Sequence, residues 1–144
     1  MRLTKSLAFT LTLLLAGLIF GGTLYAQEPL PELSPTDTAP ITQTDIDIFC
    51  KYCELANARF KNAADITSEK LTGLWGEAGW SQNRAGFAIS RISTMYEALI
   101  KNDETARSIL EFMGPDETEM DLVIANQESL AHALSLLEKF ELKF

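Results

Sequence analysis

Catalytic raw material is scarce in this sequence. Its 144 residues hold one histidine, His132, and two cysteines, Cys50 and Cys53. A zinc site built on the cysteines lacks a second pair of ligands. No histidine follows Cys53, so the attachment motif of c-type haem is missing. Bases are few as well: 12 Lys and Arg stand against 20 Asp and Glu, a formal net charge of -8. Such a chain repels phosphate backbones, which argues against nucleic acid as a partner. An anionic membrane surface is disfavoured for the same reason. Strand-like alternation is absent until the last residues, and no repeat of solenoid length recurs. These absences leave an acidic, helical, single-domain chain.

The N-terminus is where apolar residues run unbroken. Arg2 and Lys5 form a basic start, and Leu7 to Phe20 carries no charge. Gly21 and Gly22 break the run, and Ala26 offers a small residue at a cut before Gln27. This order is that of a secretory signal peptide, expected over residues 1–26 and cleaved after Ala26. The competing reading is a retained anchor, since the run is long enough to span a bilayer. No cysteine follows it, so a lipid-modified start is not indicated. Pro29, Pro31, Pro35 and Pro40 come next among acids and threonines. Proline fixes φ and removes donors, so residues 27–41 read as an extended, disordered linker.

Residues 42–144 then read as an all-α domain, a small bundle of four to five helices. Thr42 and Asp45 are spaced as a capping box, with Ile41 placed to staple onto Ile46. Ile46, Phe49, Cys50, Cys53, Ala56 and Phe60 recur at three- and four-residue steps, one helical face. A second helix starts near Thr67 or Ser68, turns Leu71, Leu74 and Trp75 inward, and ends at Gly76 and Gly79. Ser81 caps a third, whose stripe of Ala85, Ala88, Ile89, Ile92, Met95 and Leu99 makes it the most apolar and the central one. A fourth begins at Asn102 or Asp103, turns Ala106, Ile109, Leu110 and Met113 inward, and stops at Gly114-Pro115. The fifth opens on Asp116, Glu117, Glu119 and Asp121, where the helix dipole favours anions. Its stripe runs from Val123 through Leu130, Ala133, Leu134 and Leu137 to Phe140.

Few residues could carry chemistry. Cys50-Lys51-Tyr52-Cys53 is a C-x-x-C pair, open to three readings: apolar core thiols, a structural disulfide, or a thiol-redox or metal-handling module. Redox pairs normally sit at a helix N-terminus after a strand, where the dipole lowers the thiol pKa. This pair falls mid-helix, which favours core thiols. Glu128 and His132 share a helical face at four-residue spacing, with no nucleophile or second base nearby in sequence. The acids of 116–121 lack the glycine and ligand spacing of a calcium loop. Gly73, Gly76 and Gly79 follow no strand, so a nucleotide loop is not supported. Lys139 to Phe144 alternates and ends in an aromatic carboxylate that a partner could capture, or is simply a frayed helix end. Trp75, Trp80 and Phe87 flank the glycine turn, and an exposed aromatic there would be a contact surface.

The sequence therefore points to an exported protein, periplasmic or extracellular. The expected role is a non-catalytic interaction or binding domain, without metal or cofactor. Its partner would be another envelope protein or a small hydrophobic ligand. The thiol module on Cys50 and Cys53 is the alternative.

Overall fold

The computed structural model describes residues 34–140. The expected leader and the last four residues lie outside the described residues. Among the described residues six α-helices follow one another: α1 Gln43–Arg59, α2 Ser68–Ala78, α3 Gln82–Leu99, α4 Glu104–Met113, α5 Glu117–Ala125 and α6 Gln127–Leu136. Single 3₁₀ turns stand at Ala63–Asp65 and Glu138–Phe140. Among the described residues there is no strand, so the described domain is all-α.

Local chemistry sets the boundaries. Asp45 accepts the Thr42 backbone N–H at 3.0 Å, Thr67 Oγ1 accepts the Lys70 N–H, Ser81 Oγ the Arg84 N–H and Asp103 the Ala106 N–H. Each satisfies a donor that the first helical turn leaves open. α2 runs through Gly76 and stops at Gly79, whose φ of 124° excludes a side chain. α4 stops at Gly114, left-handed at φ 53°.

The expected single fifth helix is two. Asn126 separates α5 from α6, and its side-chain amide donates to the Leu122 carbonyl at 2.8 Å, a competitor to the helical ladder. Gln43 on α1 holds the same amide from both sides, at 3.1 and 2.9 Å. The break lets α5 lie on α3 while α6 lies on α1. α1 and α6 run parallel: Gln43 meets Asn126, Cys50 approaches Ser129, and Asn57 accepts from Lys139 just beyond α6.

α3 is the centre. It packs on α1, α2, α4 and α5, and every residue from Ile92 to Ala98 is buried. The core gathers Phe49, Tyr52, Leu71, Leu74, Trp75, Ile89, Ile92, Met95, Leu130 and Phe140 from five elements. α4 is peripheral. Its only fully buried residue is Ala106, which meets Ala98 of α3.

Two buried ion pairs tie the elements together. Arg84 of α3 donates to both Asp45 oxygens, at 3.1 and 2.6 Å, and Trp80 Nε1 donates to Asp45 at 3.0 Å. Seven residues on, Arg91 donates to both Glu119 oxygens, at 2.7 and 2.8 Å. Each carboxylate is the third residue of its helix, and Glu119 also accepts the Asp116 N–H. The stretch expected as linker is caught up in this arrangement over its described part. Arg84 donates to the carbonyls of Asp37, Ala39 and Pro40. The Ile41 N–H donates to Glu119 at 2.8 Å, and Ile41 itself is buried. The stretch from Asp37 to Ile41 is thus held against the helices; residues 27–33 lie outside the described residues.

Burial by itself would raise both carboxyls. The hydrogen bonds from Arg84, Thr42 and Trp80 outweigh it at Asp45, and those from Arg91, Ile41 and Asp116 at Glu119, so both are held below their ordinary 3.8 and 4.5. Their stabilising contribution is complete above those values and is lost as pH falls through the lower folded-state values. Removing one partner leaves a buried charge unpaired. Glu119→Ala is expected to cost about 3–5 kcal/mol at neutral pH and to shrink the loss of stability on acidification. Urea melts of both proteins from neutral pH to pH ~3 check it, and a variant within about 1 kcal/mol of the parent would contradict the clamp.

Candidate functional site

The C-x-x-C pair sits in the middle of α1, far from the N-terminal dipole that would activate a thiol. Both thiols are free, Cys53 buried and Cys50 half-buried. Burial pushes both thiols up, most strongly at Cys53, and the carboxylates of Asp47 and Glu54 add to this at Cys50. The Cys50 thiol points to the Ser129 carbonyl at 3.9 Å. This environment keeps the protonated, unreactive form.

Cys50 does reach a groove of about 560 Å³ between the parallel helices α1 and α6. Glu128 and His132 line the same groove with Asp47, Lys51 and Glu54. The fold therefore brings together two residue sets that the sequence offered separately. Glu128 and His132 are both exposed on α6. Among the described residues, no three His, Cys, Asp or Glu side chains converge well enough to hold a metal. A larger groove, about 960 Å³, lies beside Phe60. Of its three cations, Lys70 donates to the Asp65 carbonyl and Arg59 pairs with Glu77, and Lys61 also lines it. Phe60 is buried and presents no aromatic face.

The aromatic turn is part of the core. Trp75 is 1% exposed and Trp80 5%, so the condition under which they would form a contact surface is not met. Two features close the turn: the Trp80 indole N–H reaches Asp45, and Gly79 lies against Ile48, where a Cβ would stand 3.4 Å from Cδ1. Phe87 is placed apart from both. Its ring is flanked by Arg84 and Arg91, each guanidinium carbon 5.3 Å from the centroid. The three residues share one face of α3 at steps of three and four, and the ring separates the two cations while attracting both. Two of the acids of 116–121 have structural partners. Asp116 caps α5 by accepting the Glu119 N–H, and Glu119 pairs with Arg91.

The uncovered apolar surface lies elsewhere. Phe112 on α4 is 92% exposed, and Ile124 on α5 is 44% exposed. Ile109, Leu110 and Met113 are only half-buried. The cause is the position of α4. Among helix pairs in substantial contact its sole partner is α3, and the small pair Ala98–Ala106 forms that junction. The sequence held a signal for this: Phe112 falls about 100° around the helix from the stripe of Ala106, Ile109, Leu110 and Met113. A large aromatic off the stripe has nothing to pack on. No family model matches the chain, and neither a curated protein nor a solved structure is found similar to it.

The thiols give a direct check of this geometry. Iodoacetamide at neutral pH is expected to modify Cys50 slowly and Cys53 only as the protein unfolds, because the thiolate is the nucleophile. Digestion and mass spectrometry of timed samples measure it. Rapid labelling of Cys53 in the folded state would mean that the α1 face opens.

Proposed function

We propose that the chain is an exported, non-catalytic interaction domain that docks a partner protein through the outer face of α4. One observation carries the docking reading: a phenylalanine left 92% exposed on the helix with the fewest buried residues. A single exposed apolar residue is ordinary, but Phe112 stands beside the partly exposed Met113 and three residues from Ile109, which packs on the Ala98–Ala106 junction and is itself partly exposed. Contiguous apolar surface of this kind marks contact sites in soluble domains, and an aromatic anchor concentrates interface energy. The non-catalytic half of the reading is supported by how the ionisable residues are used. Arg84, Arg91, Asp45 and Glu119 are consumed by the buried pairs, and the thiols are held protonated. Export rests on the leader at residues 1–26, with its basic start, apolar run and small residue at the junction. Among the described residues no helix is long and apolar enough to cross a membrane.

Site-specific photo-crosslinking in the producing cell tests the docking surface. A benzoyl-phenylalanine at position 112 is expected to give a discrete adduct, and the same group at Glu69, an exposed position on α2, none. Phe112→Ser should stay within about 0.5 kcal/mol of the parent in stability, as an exposed side chain does. The reading fails if positions 112 and 69 give the same pattern.

A further inference from the structure

The surroundings of Phe112 say what kind of partner fits. Between positions 103 and 121 the chain places seven acids and one base, Arg107. Glu119 is neutralised by Arg91, and Arg107 is held by the Asn102 side chain and the Ala98 carbonyl. Glu104, Glu111, Asp116, Glu117 and Asp121 are exposed. Glu111 adjoins Phe112 directly, and Asp116 and Glu117 follow within five residues, at the start of the next helix. An apolar ridge therefore stands in the most acidic stretch of an acidic chain.

We infer that the partner seated on α4 is a cationic amphipathic helix, with apolar anchors against Ile109, Phe112 and Met113 and Lys or Arg over the flanking carboxylates. The inference rests on the α4 docking reading. Three arguments select this occupant. Opposite charge around an apolar contact steers encounter and fixes register, whereas like charge facing like costs several kcal/mol. A second copy of this chain would present the same acids to itself, and an anionic lipid surface would be repelled as well. Phe112 and Met113 stand three and four residues after Ile109, so the three side chains fall within about 100° of arc on one helix, a face that another helix can pack against. An extended strand finds no sheet edge to join among the described residues.

The probe is a synthetic Leu/Lys amphipathic peptide of about 15 residues, long enough for a marginal helix to be stabilised on contact. It is titrated into the full chain beside two controls, a scrambled peptide of equal composition and a Leu/Ser peptide with the same apolar face. The amphipathic Lys peptide is expected to bind at least about tenfold more tightly than either control. Phe112→Ser should weaken it by a similar factor, with circular dichroism unchanged. Glu111→Lys combined with Glu117→Lys should weaken it and flatten its salt dependence.

The outcomes separate the two claims. If the Leu/Ser peptide binds as tightly, still needs Phe112 and ignores the charge reversal, the α4 face stands and the cationic partner falls. If Phe112→Ser leaves Lys-peptide binding unchanged, only diffuse charge attraction is at work and both claims fall. A Phe112-dependent dimer in sedimentation, or Phe112-dependent binding to phosphatidylcholine vesicles, would replace the cationic helix by a second copy or a lipid surface.

Discussion

The fold depends on two carboxylates and the two arginines that claim them. Asp45 and Glu119 each occupy the third position of a helix, where they belong on purely local grounds, because the helix start is electropositive. Arg84 and Arg91 then use those same oxygens to fasten two helix starts to the middle helix. Local and long-range requirements are met by one set of atoms. Burying such pairs brings little net stability compared with apolar side chains of the same size. What they add is uniqueness: an arginine that reached the wrong carboxylate would leave a second pair unmatched. The Phe87 ring stands between the two guanidinium groups and contacts both. The Ile41 amide adds a further donor to Glu119, so the chain entering the domain is fixed by the clamp that orients α5.

The centrality of α3 has a cost at the periphery. A helix buried along seven consecutive residues needs neighbours on all sides, and four of the other helices supply them. α4 is attached through a junction of small residues, which brings its backbone close to α3 and leaves its larger apolar side chains partly uncovered. The exposed Phe112 is thus a product of the packing order and no accident of one side chain. In the grooves beside α1, Lys51, Arg59 and Lys70 are engaged by carbonyls or a carboxylate, and burial suppresses ionisation of the Cys50 thiol.

Much of this was legible in the sequence. The helix starts at Thr42, Thr67, Ser81, Asp103 and Asp116 follow from short-range hydrogen-bond chemistry, and the stripes of α1 and α3 name most of the core. The break at Asn126 was not legible. It depends on Gln43, 83 residues away, whereas the apolar stripe runs through it without interruption. The clamp was hidden for the same reason. Its partners are 39 and 28 residues apart, and a charged residue on a helix reads as solvent-facing unless its mate is known. The aromatic turn misled in the opposite direction. Glycines beside tryptophans suggest an open, pliable surface, yet the indole N–H found a buried carboxylate and Gly79 served to end α2 at a positive φ. The candidate surface on α4 was only half legible: the stripe identified the helix, and the residue off the stripe carried the information.

The spacing of Arg84 and Arg91 makes α3 a measuring rod. Seven residues are two turns, so both guanidinium groups emerge on one side about 10 Å apart, and that distance sets the separation of the α1 and α5 starts. Adding one residue between them would turn one arginine by about 100° and uncouple the two starts at a stroke. Insertions between α1 and α2 would leave the gauge untouched. Length is therefore unequally constrained along this chain, strictly over one short stretch of its central helix and loosely in the connections around it.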